Sequence, residues 1–144
     1  MLKRDTLLMV IWTQALVATA GSLFYSEVMA YIPCELCWIQ RIFMYPLVVI
    51  YGIAAWKKDI AHAQAGLILS SIGLLVSTWH YLTQKLPLLQ QAGDACGAVP
   101  CSASYVNYFG FVTIPFLAGV AFLVIITLHV LLMKTTKEET IHEK

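Results

Sequence analysis

Four long apolar stretches, parted by short polar segments, set the reading of this chain. They cover residues 7–26, 37–56, 61–82 and 109–133. A helix that crosses the hydrocarbon core needs roughly 20 consecutive apolar residues. Three of the stretches have that length outright. The second is short if it begins at Ile42, and long enough only if it is counted from Cys37. The pattern predicts an all-α, polytopic membrane protein: one integral-membrane domain over residues 1–144, built as a four-helix bundle. Lys57-Lys58-Asp59 separates stretches two and three so briefly that they must form an antiparallel hairpin.

Charge adds the orientation. Only 12% of the residues are charged, against 60% hydrophobic, and the charges gather between and outside the apolar stretches. Lys3, Arg4, Lys57, Lys58, Lys134, Lys137 and Lys144 fall on one side of the expected fold, and only Arg41 and Lys85 on the other. Basic residues mark cytoplasmic ends, so both termini are expected in the cytoplasm. The two loops on the outer side then hold all four cysteines, where disulfides are permitted. The net charge of +1 gives no field for nucleic acid. Ala18-Thr19-Ala20 fits a signal-peptidase site, but the apolar run continues past an ordinary signal h-region. We expect it to be retained as the first span. Small residues of this stretch, Ala18, Gly21 and Ser22 among them, read as helix-packing positions.

The chemistry lies in Pro33-Cys34-Glu35-Leu36-Cys37-Trp38-Ile39-Gln40-Arg41 and in Cys96-Gly-Ala-Val-Pro-Cys101. Four cysteines allow three pairings, and the spacing favours 34 with 37 and 96 with 101. Loop entropy from rings this small contributes only about 2 kcal/mol each, against roughly 4 for a bridge between the loops. Tight pairs serve reversible exchange better than stapling, because the resolving thiol stays beside the attacking one. Cys34 is expected at a helix start, where exposed amides lower a thiol's pKa. A four-cysteine zinc site would use the same residues; the outer-face location favours disulfides instead, and we expect no metal.

Arg41 follows Cys37 by four residues and shares its helix face. An arginine just inside the membrane boundary costs energy unless it snorkels or meets an anion. Beside Cys-x-x-Cys, a thiolate or a quinone oxygen would serve. His80 ends the third stretch on the same side. It is either a hydrogen-bond donor to a bound ring or an interfacial histidine facing headgroups. No haem-ligating histidine pair and no dinucleotide fingerprint occur in the sequence. A redox pair at the lipid boundary, with no built-in electron sink, points to a lipid-soluble quinone as acceptor.

These residues resemble the DsbB family of membrane disulfide-generating proteins, and within it the BdbC-like proteins of Gram-positive bacteria. The resemblance covers nearly the whole chain. It rests on Cys-x-x-Cys-x-x-x-Arg before span two, the second cysteine pair between spans three and four, and Trp79-His80 at the end of span three. It implies a bacterial plasma-membrane thiol-disulfide oxidoreductase with Cys34, Cys37, Cys96 and Cys101 as catalytic residues. A reduced thioredoxin-like partner of the DsbA or BdbD type would attack at Cys96. Cys101 would pass electrons onward through a Cys34–Cys101 bridge. Cys37, with Arg41 and His80, would face the quinone: menaquinone or ubiquinone, with menaquinone the choice for the Gram-positive group. The second pair is much closer in sequence here than in the best-known Gram-negative members. Two other readings compete. One is a non-catalytic four-span protein with structural disulfides in its outer loops. The other is an enzyme like vitamin K reductase, whose active pair would lie late in the chain.

Overall fold

The structure, a computed structural model, describes residues 3–142. Met1 and Leu2, which open the weighed signal sequence, and Lys144, one of the counted basic residues, lie outside the described residues. Five α-helices follow in order. They are α1 (Arg4–Leu23), α2 (Glu35–Lys57), α3 (Gln64–Lys85), α4 (Pro87–Asp94) and α5 (Ile114–His142). One π turn, Phe24–Val28, extends α1, and a 3-10 turn, Ile60–Ala63, leads into α3. Among the described residues no strand forms; one isolated bridge joins Tyr108 and Val112.

Four of these helices are long and apolar enough to cross a membrane. In lipid every backbone polar group must be satisfied within the segment, which a helix does by itself. α1 packs on α2 and α5, and α3 packs on the same two. The spatial order is therefore a ring, α1-α2-α3-α5, with α2 and α5 across the diagonal. The chain is an all-α, four-span membrane bundle.

α1, α2 and α5 are largely apolar on both faces, whereas α3 buries small and polar residues, Gly66, Ser70, Gly73, Ser77, His80 and Thr83. Leu8, Ile11, Leu47, Tyr51, Phe122 and Ile125 are fully buried inside, while Val17, Val49, Ile68 and Leu75 are exposed outside. Helix approach depends on small residues. A Cβ on Gly66 would lie 2.7 Å from the Tyr51 ring, and one on Gly73 only 2.4 Å from the Phe122 ring.

The turn between α2 and α3 works through Lys58, whose φ of 53° lets its N–H bond the Ala54 carbonyl. Asp59 accepts from Ala61 N at 2.9 Å, and this bond holds its carboxyl below the usual range. Lys58 Nζ also meets Asp5 at 3.1 Å, so the start of α1 and this turn share one end of the bundle. The cysteine loops occupy the other end.

Two stretches depart from the hydrophobic pattern. The fourth apolar run was expected to be helical from Phe109, but α5 begins only at Ile114. Phe109 and Gly110 have φ of 55° and 80°, Tyr108 and Val112 exchange backbone bonds of 2.9 Å, and the Thr113 carbonyl accepts the first helical bond from Leu117 N. The charged tail, in turn, continues α5 as helix to His142. Within the segment between α3 and α5, Pro87 starts α4 at the helix position where a missing N–H costs nothing.

Candidate redox site

α2 begins at the first cysteine pair. Cys34 is its N-cap, and the Cys34 sulfur accepts from Cys37 N at 3.4 Å. The two sulfurs are 2.8 Å apart and unbonded, and all four cysteines are free thiols. The expectation that the helix start lowers the Cys34 pKa does not hold. Its thiol is pushed up to about 12, first by the shared proton with Cys37 and then by burial. With one proton between two touching sulfurs, Cys34 is the one that keeps it.

The second pair lies directly against the first. The Cys101 thiol lies near those of both Cys96 and Cys34. Burial, followed by contact with Cys101, pushes Cys96 up to about 12. Cys101 is fully buried and is also raised, chiefly by burial. Gly97, at a φ of +39°, packs so tightly on Glu35 that a Cβ would stand 2.6 Å from its carboxylate. The loop of the second pair thus closes over the Cys-x-x-Cys turn.

His80 joins the two loops. Its Nε2 lies 3.1 Å from the Cys101 carbonyl oxygen and 3.7 Å from the Cys34 sulfur, and its Nδ1 is 2.9 Å from Gln40 Nε2. Gln84, one turn beyond His80, donates to the Cys101 and Ala103 carbonyls at 3.3 and 3.1 Å. His80 is thus a buried residue of the site rather than an interfacial histidine facing headgroups.

Beside these groups is a cavity of about 190 Å³, bordered by the cysteine-bearing ends of α1, α2, α3 and α5 and by both loops. Cys37, Arg41 and His80 all line it. Arg41 donates to the Ser22 carbonyl on α1 at 3.3 Å and lies over the Trp38 ring at 5.2 Å. Tyr25, Tyr31 and Tyr105 stack in sequence at the cavity wall, with centroids 6.2 and 5.0 Å apart. Ala18, Gly21 and Ser22, read from sequence as packing positions, form part of the α1 wall instead. A Cβ on Gly21 would meet nothing within 4 Å. Mostly apolar walls with a few convergent polar groups describe a small-molecule site.

Sequence reasoning assigned no role to Gln40, Gln84, Tyr31 or Tyr105. The cue for Gln40 was an amide inside an apolar span, a place where polar side chains need partners. The donor atoms of Cys34, Cys37 and His80 lie within 4.8 Å of one another, so they could together take a soft metal ion. Sulfurs sharing a tetrahedral zinc stand about 3.8 Å apart, from Zn–S bonds of about 2.3 Å. The pair at 2.8 Å would have to part by roughly an ångström.

Fold and site together define a four-span membrane protein whose four thiols gather beside a lipid-level cavity. A family profile described as "Disulfide bond formation protein DsbB" matches residues 4–132. A probable disulfide formation protein of Oceanobacillus iheyensis is 64% identical over 133 residues, 92% of each chain. A probable disulfide formation protein C of Bacillus cereus is 50% identical over 85% of this chain and 88% of its own. The disulfide bond formation protein C of Bacillus subtilis is 48% identical over 89% of this chain and 92% of its own. No solved structure matches. The chain belongs to the DsbB family of disulfide bond formation proteins, on its BdbC-like side.

Proposed function

We propose that this chain reoxidises a thioredoxin-like dithiol protein on the outer face of the bacterial plasma membrane and delivers the electrons to a membrane quinone. The observation that carries this reading is the gathering of the cysteines beside the cavity. Cys101 lies near both Cys96 and Cys34, and the Cys34 sulfur meets that of Cys37 at 2.8 Å on the cavity wall. Positive residues at the opposite end of the bundle support an outward-facing site.

The enzyme starts with Cys34–Cys37 and Cys96–Cys101 as disulfides. A partner thiolate attacks Cys96, forming a mixed disulfide and releasing Cys101 as a thiolate. Cys101 attacks Cys34, forming Cys34–Cys101 and releasing Cys37 as a thiolate beside Arg41. The partner's second thiol resolves the mixed disulfide and frees Cys96. Cys96 then attacks Cys101, restoring that pair and releasing Cys34. Cys34 and Cys37 rejoin as a disulfide and give up one electron pair.

A quinone in the cavity would supply a two-electron, two-proton acceptor. Residues present fit such a ring. The walls are apolar, the stacked tyrosines offer planar faces, and the Arg41 guanidinium can hold a carbonyl oxygen. Quinone and quinol would enter and leave through the lipid.

The test uses purified protein in detergent with a short-chain menaquinone analogue and a reduced thioredoxin-like dithiol protein. Quinone ultraviolet absorbance should fall as partner disulfide forms, one for one. Arg41→Ala should raise the quinone concentration needed about tenfold, the loss of one charge-assisted hydrogen bond. A wild-type protein that oxidises no partner, while remaining folded, would favour the structural-disulfide reading.

A further inference from the structure

Gln40 and His80 come from different helices, 40 residues apart, and meet at 2.9 Å. Both are almost wholly buried, at 5% and 1% exposure. The hydrogen bonds around the ring fix its protons. The Cys101 carbonyl can only accept, so Nε2, 3.1 Å away, carries hydrogen. In a neutral imidazole Nδ1 must then accept, and Gln40 presents its amide N–H₂ to it. A buried side-chain pair in a membrane bundle needs such mutual satisfaction.

This tautomer has a direction. It turns the Nε2–H toward the loop carbonyl of Cys101 and toward the Cys34 sulfur at 3.7 Å. The opposite tautomer would turn a lone pair on both. We propose that Gln40 is a positioning residue for thiol exchange: it locks His80 as the Nε2–H donor that receives charge on Cys34 when that sulfur is released. The inference rests on the function proposed above and concerns its exchange half.

In the step concerned, the Cys96 thiolate attacks Cys101 of the Cys34–Cys101 bridge. The Cys96–Cys101 bond forms, the Cys34–Cys101 bond breaks, and the electron pair of the broken bond goes to the Cys34 sulfur. A hydrogen bond from Nε2–H makes Cys34 the better leaving group. His80 keeps its proton throughout. Besides His80, the titratable or charged groups around this point are Cys34 at the α2 N-cap, Cys37 and Arg41 from α2, Cys101 and Tyr105 from the second loop, Tyr31 from the first, and Tyr25 in the π turn after α1. α5 contributes only apolar wall residues, such as Leu117 and Ala118.

The test compares wild type, Gln40→Met and Gln40→Glu, each full-length in nanodiscs. Met has a similar length and offers no donor. Nitrogen-15 spectra of histidine-labelled protein, with His80 assigned by a His80→Phe control, should show Nε2-protonated His80 in wild type and a mixture of tautomers in Gln40→Met. In single turnovers quenched with acid, the Cys34–Cys101 bridge should persist about tenfold longer in Gln40→Met. The quinone Michaelis constant should stay within twofold. Gln40→Glu can donate only with its carboxyl protonated, so its exchange rate should recover as pH falls, a trend absent from wild type.

The inference is overturned if His80 keeps the same tautomer in Gln40→Met, or if the defect is confined to the quinone Michaelis constant. Should Gln40→Met fail to fold, the pH-dependent recovery of Gln40→Glu decides, and a flat profile counts against it. A wild-type protein that reduces no quinone would refute the proposed function, whereas the tautomer spectra judge the Gln40 lock on their own.

Discussion

Each half of the bundle buries one histidine, and the two are treated differently. His80, in the cysteine-bearing half, has both ring nitrogens engaged, by Gln40 and by the Cys101 carbonyl. It borders a cavity and a cysteine. His129, in the half away from the cysteines, shares one hydrogen bond with the Tyr51 hydroxyl at 2.9 Å, and its Nε2 finds no partner among the described residues. The helices close tightly on its partner Tyr51 through Gly66, and at mid-bundle through Gly73 on Phe122. There the small residues serve contact. The cysteine-bearing half uses Gly21 and Ala18 to leave room. One bundle thus separates a rigid base from an open, polar-lined end, and the cysteines all lie at that end.

This contrast can be broken most sharply at Cys37. Cys37→Ser should abolish partner reoxidation, by about a thousandfold or more, as expected when a nucleophile acts as part of a unit. Helical circular dichroism and detergent melting should stay unchanged; a loss of fold would make the cysteine a structural element. Next in size is the ionisation of Cys96. A thiol pushed up to about 12 keeps its proton far above neutrality, and the reactive thiolate grows as pH rises. Iodoacetamide should label Cys96 of the reduced protein about a hundredfold more slowly than a free thiol at pH 8, allowing for its greater intrinsic nucleophilicity. Labelling should then speed up steeply between about pH 9 and 11. A flat profile would remove the burial argument for the second pair.

The helix contacts away from the cysteines answer to volume instead. Gly73→Ala drives a methyl into the Phe122 ring and should destabilise the protein by about 1–3 kcal/mol. The measurement is the melting temperature in detergent. Phe122→Leu should restore much of the loss, and activity per folded molecule should be spared. Smallest is Tyr51→Phe. Interhelical hydrogen bonds in membrane bundles average about 0.6 kcal/mol, so a slight drop in melting temperature with full activity is expected. A large loss of activity would join His129 to the chemistry and dissolve the division.

Much of the bundle was legible because lipid imposes a length and excludes charge. Lys57-Lys58-Asp59 and the runs around it fixed the hairpin, and the need to reach Lys57 placed the start of the second span near Cys37. The cysteine pairs and Arg41 were legible because few residue types bring such chemistry to a membrane boundary. Register between helices was not. Nothing local says that Gln40 faces His80, or that Tyr51 faces His129, since each pairing depends on rotation about two long axes. Nor does spacing tell that Ala18 and Gly21 border a void rather than a neighbouring helix. The late start of α5 had a visible cue in Gly110 and in the Thr-Ile-Pro sequence at 113–115, which apolar composition outweighed. The raised Cys34 pKa was not legible because the adjacent Cys37 sulfur and burial outweigh the helix amides.

The carbonyl of Cys101 is clasped from two sides, by His80 and by Gln84. A residue moored in this way cannot carry its sulfur about by swinging its loop. It can only turn about its own Cα–Cβ bond, as a pivot whose arm sweeps from Cys96 to Cys34. Changing partners then becomes a rotamer hop instead of a rearrangement of the outer surface, and a loop only a few residues long is enough for it.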